Sequence, residues 1–166
     1  EQGIASCIAA AQTAASEIGG AEIIFVDSAS TDRTVEIVSS MGVRVVSLDP
    51  SSKLCPSAGR FVGSQHATGE FVLFIDADTL VYEGFLGQAT EHFRAHPRVA
   101  GVNGRIDDLN EKGERLDGVE DRNDGVADVK WLRGPCCFYR RSALMGCGSF
   151  DPQLAMEEEA ELGLRL

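Results

Sequence analysis

The sequence predicts a three-layer α/β/α protein built on a mostly parallel, mixed β-sheet. Short apolar runs alternate with segments whose apolar residues recur at helical spacing, which is typical of a sheet covered by helices on both faces. The run Phe71–Ile75 is β-branched and aromatic without polar alternation, as expected of a buried parallel strand. At 166 residues the chain fits one domain with its own hydrophobic core.

The first half of the chain alternates helices and strands. The predicted helices end at or just before glycines, which favour the backbone conformation of helix ends. Ser30 or Thr31 is expected to cap the second helix. The predicted elements are a helix over residues 4–16, a strand over 22–26, a helix ending at 42, a strand over 43–48, a helix over 56–67 and the strand over 71–75.

The second half is less regular. A polar, glycine-containing stretch over residues 107–128 predicts a loop or an exposed hairpin. Around it the sequence predicts a helix over 83–94, strands over 99–106, 129–132 and 137–139, a helix over 142–145 and a helix start over 156–162. The chain opens and closes within predicted helices. We therefore expect a single domain over 1–166 that lacks its opening strand and its C-terminal end.

Composition excludes several classes of function. A formal net charge of −11 argues against a nucleic-acid-binding surface, which would need basic patches. The five cysteines are odd in number and form no Cys-x-x-Cys pair, so we expect no zinc site or disulfide scaffold and a reducing, cytoplasmic location. No apolar run is long enough to span a bilayer, and no signal peptide opens the chain.

Two carboxylates follow the strand at Phe71–Ile75. Asp76 and Asp78 would lie at the sheet edge where open α/β sheets bind their ligands, and their spacing on an extended segment lets them point the same way. Paired carboxylates suit Mg²⁺ or Mn²⁺, whose other positions go to water or phosphate. An acidic turn without a ligand is the alternative.

Four motifs then occur in the order and spacing of a known family. They are VDSASTD at residues 26–32, GRFVG at 59–63 with ATGEF at 67–71, DAD at 76–78, and RR at 140–141 with SFD at 149–151 before an acidic helix start. With them the chain resembles the inverting family 2 glycosyltransferases, whose nucleotide-diphospho-sugar transferase fold is called GT-A. Ser28, Phe61 and Glu159 depart from the family pattern, which has Asp, Asn and most often Asp there.

The resemblance implies transfer of a sugar from a nucleotide-diphosphate donor to an acceptor hydroxyl with inversion, assisted by Mn²⁺ or Mg²⁺. It implies donor contacts from Asp27, Arg60, Asp76 and Asp78, a metal ligand at Asp78 with Asp76 at the ribose or a metal-bound water, a base at Glu159 or next Glu158, and an acceptor side at Trp131 and Gly134. The acceptor can be a lipid carrier, a polysaccharide, a protein or a small molecule. Segments beyond this chain can add peripheral membrane association.

Each assignment has a structural alternative. Asp27 can stabilise a helix N-terminus, Arg60 can be an exposed helix residue, the glutamates can be first-turn acids, and Trp131 can lie in the core. Two other functions remain open. A sugar-phosphate nucleotidyltransferase shares the broad fold but needs a glycine-rich triphosphate loop, which is not visible. A non-catalytic nucleotide-sugar-binding homologue is compatible with Glu159 in place of the usual Asp.

Overall fold

The computed structural model describes residues 3–110, 114, 116 and 127–166. Helices and strands alternate through most of this part of the chain, as predicted. The elements are α1 (Ile4–Glu17), β1 (Ile24–Asp27), α2 (Thr34–Ser40), β2 (Arg44–Ser47), α3 (Pro56–His66), β3 (Phe71–Ile75), α4 (Phe85–Ala95), β4 (Gly101–Val102), β5 (Cys136–Arg140), α5 (Arg141–Gly146) and α6 (Glu158–Arg165). None of the described helices is long and apolar enough to cross a membrane.

The described strands form one parallel and one antiparallel sheet. β1 and β2 pair in parallel, with Val26 opposite Val46. β5 lies between β3 and β4 and pairs antiparallel with both. The prediction that β3 is a parallel strand is therefore wrong, because β5, which pairs with β3 in the described part of the chain, runs antiparallel to it. Its apolar run reflects burial of both faces beneath helices, and burial does not fix the direction of a neighbouring strand.

Helices cover both faces of these sheets, which confirms the predicted α/β class. Neighbouring side chains of a strand point to opposite faces. Phe25 accordingly packs with Ile8 of α1 and Val38 of α2, whereas Val26 packs with Ala58 of α3 on the other side.

β3 has the same two-sided packing. Its Phe71 stacks on Phe93 of α4 with ring centroids 4.8 Å apart. On the opposite face, Phe74 packs edge-on against Phe150, in a cluster that includes Leu144 of α5 and Leu162 of α6. Thus α1, α2 and α4 cover one face, and α3, α5 and α6 cover the other.

A groove of about 1550 Å³ lies between β1 and β3. The two strands do not pair with each other in the described part of the chain, and α1 and α3 complete the groove walls. Both strands end at the same polar end of the groove, with Asp27 on one side and Asp76 on the other.

Two local predictions need correction. Ser30 and Thr31 do not cap α2, which begins at Thr34. The Thr34 N–H donates instead to Asp32 Oδ1 at 3.0 Å. This local hydrogen bond satisfies the backbone N–H at the start of α2, and its acceptor lies closer to the helix in sequence than Ser30 or Thr31. The strand predicted over 99–106 is reduced to Gly101–Val102, since only these two residues pair with β5.

The predicted strand over 129–132 is also wrong. This segment runs along α6, where a Cβ on Gly163 would lie 2.4 Å from Trp131 Cβ. Close packing on a helix therefore replaces strand pairing. Most of the predicted loop over 107–128 lies outside the described residues.

Gly101 provides a test of the packing around β5. A Cβ there would lie 2.7 Å from Tyr139 Cδ1 and 2.9 Å from Leu132 Cδ1. We expect Gly101→Ala to lower the free energy of unfolding by about 1–3 kcal/mol, measured by urea denaturation, because both neighbours are buried. Gly146→Ala is the matched control, since a Cβ there meets nothing within 4 Å. Equal stability of the two variants would contradict this packing.

Candidate functional site

Three of the acidic side chains singled out in the sequence meet at one arginine that lines the groove. Asp76 follows β3, and Glu158 and Glu159 begin α6. They are joined by Arg60, which lies in the middle of α3. The structure thus brings residues almost 100 positions apart into one charged cluster, which we call the Arg60 cluster (Arg60, Asp76, Glu158 and Glu159).

Arg60 donates hydrogen bonds to all three carboxylates. Its Nη1 lies 2.6 Å from Glu158 Oε1 and 2.5 Å from Glu159 Oε1. Its Nη2 lies 3.0 Å from Asp76 Oδ1. The planar guanidinium presents donors in a fixed fork, so these contacts also fix the directions in which the acids lie.

Burial differs across the Arg60 cluster. The exposed fraction of the side chain is 8% for Glu158, 11% for Arg60 and 17% for Glu159, but 46% for Asp76. Burial opposes the charge of Arg60, but Glu159, Asp76 and Glu158 together raise the pKa of Arg60 above its ordinary value. Arg60 is therefore permanently charged, and the alternative of an exposed helix arginine is excluded.

Arg60 is supported by its surroundings. The Arg60 Cζ lies 5.7 Å from the centroid of the buried Phe150 ring, a cation–π contact. On the same face of α3, Ser57 Oγ donates to the Asp151 carbonyl at 2.5 Å, and Ser64 Oγ hydrogen-bonds Ser149 Oγ at 2.7 Å. These contacts tie α3 to the loop before α6. The Ser-Phe-Asp motif at 149–151 pointed to this loop, but not to its packing beneath Arg60.

Gly134 bounds the Arg60 cluster on another side. A Cβ on Gly134 would lie 2.5 Å from Glu159 Oε1 and 3.3 Å from Arg60 Nη2. The neighbouring Pro135 carbonyl accepts a hydrogen bond of 3.1 Å from the Asp76 N–H. The segment before β5 therefore touches both the α6 and the β3 sides of the site.

Asp27 lies at the end of β1 and is only 3% exposed. Both of its carboxylate oxygens lie 3.2 Å from the Ser30 N–H, which donates to them. Because α2 begins only at Thr34, Asp27 holds the loop after β1 rather than the first turn of α2. The carboxylate also lines the groove, so its predicted donor contact remains a prediction.

The chemistry of Asp76 and Asp78 fits a divalent cation. Asp78 is exposed and Asp76 is half exposed, and both line the groove. The described residues contain no group of three or more His, Cys, Asp or Glu side chains that could hold a metal on their own. Mg²⁺ and Mn²⁺ are commonly held by one or two carboxylates together with substrate phosphates, which is the arrangement that these two residues allow.

Trp131 lies on the surface beside α6, so the alternative of a core tryptophan is wrong. The residue is 44% exposed, and its Cβ is close to Gly163. Gly163 lies four positions after Glu159, on the same face of α6. Trp131 thus lies about one helical turn from Glu159, and its acceptor-side role remains a prediction.

Sequence reasoning gave no role in the site to the two cysteines that begin β5, although both lie beside it. Burial, and next the Asp76 charge, raise the pKa of Cys136 to about 11. Burial and Glu159 raise the pKa of Cys137 to about 12, although Arg60 partly opposes this. Both thiols stay protonated at neutral pH, which agrees with their predicted role in packing.

Removing Arg60 should destabilise the fold. Arg60→Met leaves Glu158 buried without its counter-charge, so we expect the free energy of unfolding to fall by about 3–5 kcal/mol in a denaturant titration. Arg33→Met is the matched control, because the Arg33–Glu36 pair is exposed and such pairs contribute about 0–1 kcal/mol. Similar losses in the two variants would contradict a buried, charge-paired cluster.

Comparison with solved structures identifies the fold. The chain matches crystal structures of TarS from S. aureus, and for TarS 1-349 the TM-score is 0.73 at 24% identity, covering 99% of this chain and 51% of that one. The mannosyltransferase PcManGT from Pyrobaculum calidifontis, solved with GDP-Man and Mn²⁺, gives a TM-score of 0.59 at 21% identity, covering 85% and 41%. These matches confirm the predicted GT-A fold.

Sequence comparison identifies the family. The poly(ribitol-phosphate) beta-N-acetylglucosaminyltransferase TarS of Staphylococcus aureus is 34% identical over an alignment of 94 residues, and the match covers 51% of this chain and 16% of that protein. The chain therefore spans a minor part of that relative's length. Residues 1–147 match the family model of Glycosyl transferase family 2. Because this match covers most of the 166 residues, the chain belongs to glycosyl transferase family 2.

Proposed function

We propose that this chain transfers a sugar from a nucleotide-diphosphate donor to an acceptor hydroxyl, with inversion and with the help of Mn²⁺ or Mg²⁺. The observation that carries the proposal is the bridge from Asp76 through Arg60 to Glu159. This bridge joins Asp76, which lines the groove, to Glu159 through a single guanidinium, and it supports a donor-side role for Asp76 and a base role for Glu159. Family membership supports the same chemistry.

Asp76 and Asp78 form the donor side in this proposal. A leaving diphosphate gains negative charge in the transition state, and a bound cation would supply the compensating positive charge. Asp78 is the primary metal ligand, because it is exposed and forms no ion pair with another residue in the described part of the chain. Asp76 is already bonded to Arg60 through Oδ1, so its remaining oxygen is the one available to the ribose or to a metal-bound water.

Glu159 is the proposed base, with Glu158 as the second candidate. The acceptor hydroxyl must lose a proton as it attacks, and a carboxylate within hydrogen-bond reach can accept it. The Glu159 side chain is 17% exposed and that of Glu158 is 8% exposed, so an acceptor reaches Glu159 more readily. Direct attack with a base on the acceptor side is the arrangement that gives inversion.

Trp131 and Gly134 flank Glu159 and are the proposed acceptor side. The acceptor remains a lipid carrier, a polysaccharide, a protein or a small molecule, and poly(ribitol phosphate) is the first polymer to test, given the name of the TarS relative. We also propose a cytoplasmic location. The odd number of cysteines and the absence of a Cys-x-x-Cys pair in the sequence support a reducing compartment.

One assay separates this proposal from its alternatives. The purified protein is incubated with Mn²⁺, a panel of nucleotide sugars that includes GDP-mannose and UDP-N-acetylglucosamine, and a set of acceptors. Release of nucleoside diphosphate together with a glycosylated acceptor is the expected result. Pyrophosphate release from a sugar phosphate and a nucleoside triphosphate would indicate a nucleotidyltransferase. Donor binding without turnover would indicate a non-catalytic homologue.

Replacing the proposed base should abolish transfer but not donor binding. We expect Glu159→Gln to lower kcat by about 10²–10⁴-fold, because the amide cannot accept the acceptor proton. The donor Kd, measured by calorimetry, should stay within about twofold, a change well below 1.4 kcal/mol. Glu161→Gln is the control on the same helix, since Glu161 pairs with Arg165. Unchanged turnover in Glu159→Gln would eliminate Glu159 as the base.

Replacing the proposed metal ligand should act on the donor side. We expect Asp78→Asn to weaken donor binding in the presence of Mn²⁺ by at least about tenfold, since loss of a contact worth about 1.4 kcal/mol already changes Kd by that factor. Chelation of the cation should weaken wild-type binding to the same level. Asp49→Asn, in an exposed turn away from the groove, is the control. Donor affinity that is insensitive to both changes would argue against a metal at Asp78.

A further inference from the structure

We propose that Arg60 and Gly134 are positioning residues that hold the carboxylate of Glu159 in one place. Arg60 attracts the carboxylate from one side, and Gly134 leaves the space that the carboxylate occupies on the other. The inference rests on the proposed role of Glu159 as base. It differs from the role that the family resemblance implies for Arg60, which is contact with the nucleobase or a phosphate of the donor.

The contacts of Arg60 favour positioning over donor binding. Its Nη1 already donates to Glu158 and Glu159, and its Nη2 donates to Asp76. The guanidinium packs over the Phe150 ring, and the whole side chain is only 11% exposed. A donor phosphate would have to displace a carboxylate to reach Nη1, whereas the present arrangement satisfies the buried charges.

Gly134 acts on the same carboxylate by being small. A Cβ at this position would lie 2.5 Å from Glu159 Oε1, closer than non-bonded atoms approach. The clash involves the end of a flexible side chain, so an alanine is accommodated when the Glu159 carboxylate moves away. Such a shift leaves the backbone in place and changes the position of the proposed base. Displacements of about 1 Å can cost about 10²-fold in rate.

The first test is Gly134→Ala. We expect kcat to fall by about 10–10²-fold, while the donor KM and the Tm remain close to wild type. Gly146→Ala is the control and should match the wild type, because its Cβ meets no atom within 4 Å. A donor KM that rises while kcat is unchanged would overturn the inference for Gly134.

The second test is Arg60→Lys, which keeps the buried charge but replaces the fork by a single ammonium group. One ammonium cannot reproduce the two-nitrogen bridge between Glu159 and Asp76. We expect kcat to fall by about 10–10²-fold with donor Kd within about threefold, since a positioning defect acts on the reacting geometry. A loss of donor affinity of more than tenfold, with kcat preserved, would show that Arg60 contacts the donor.

Double variants separate positioning from general damage. If both residues act through the Glu159 carboxylate, neither Gly134→Ala nor Arg60→Lys should lower kcat further in a Glu159→Gln background. Additive losses would overturn the inference. A wild-type protein without any sugar transfer would overturn the proposed function and this inference together. An active wild type with unchanged kcat in both single variants would overturn the inference alone.

Discussion

One guanidinium shared by three carboxylates is the interaction on which this site depends. Arg60 of α3 contacts Asp76 after β3 and the two glutamates that begin α6. Buried ion pairs are costly to assemble but strongly destabilising to break, because a lost partner leaves a desolvated charge. The cluster is therefore less a source of net stability than a geometric constraint. It fixes where the start of α6 lies relative to the end of β3.

The rest of the fold explains why that constraint can hold. α3 packs against both sheets through separate apolar clusters and is fastened to the loop at 149–151 through Ser57 and Ser64. The same loop supplies Phe150, which lies between Arg60 and the aromatic face of β3. Apolar packing thus fixes the positions of the helices and strands, and the charged contacts fix the directions in which the acidic side chains point. The groove between β1 and β3 then opens directly onto Asp27, Asp76 and Asp78.

Much of this arrangement was predictable from the sequence, and the exceptions have physical causes. The helical spacing of apolar residues and the glycines at helix ends located most helices. The order of the motifs located the acidic residues of the site. Strand direction was not predictable. The apolar run at Phe71–Ile75 indicates that both faces of the strand are buried, but it does not indicate which strand pairs with it. The segment at 129–132 has strand-like composition but packs on α6 at Gly163. Arg60 forms ion pairs with Glu158, Glu159 and Asp76 through tertiary contacts. No local sequence pattern contains these contacts.

We propose above all that Asp78 and Glu159 belong to one sugar-transfer site. A crystal structure of the protein with Mn²⁺ and the nucleotide sugar selected by the donor panel tests it most directly. We predict Mn²⁺ on Asp78, the diphosphate at the polar end of the groove, and the anomeric carbon on the side of the sugar that faces Glu159. Binding of the nucleotide outside the groove, or a sugar whose anomeric carbon is turned away from Glu159, would contradict it.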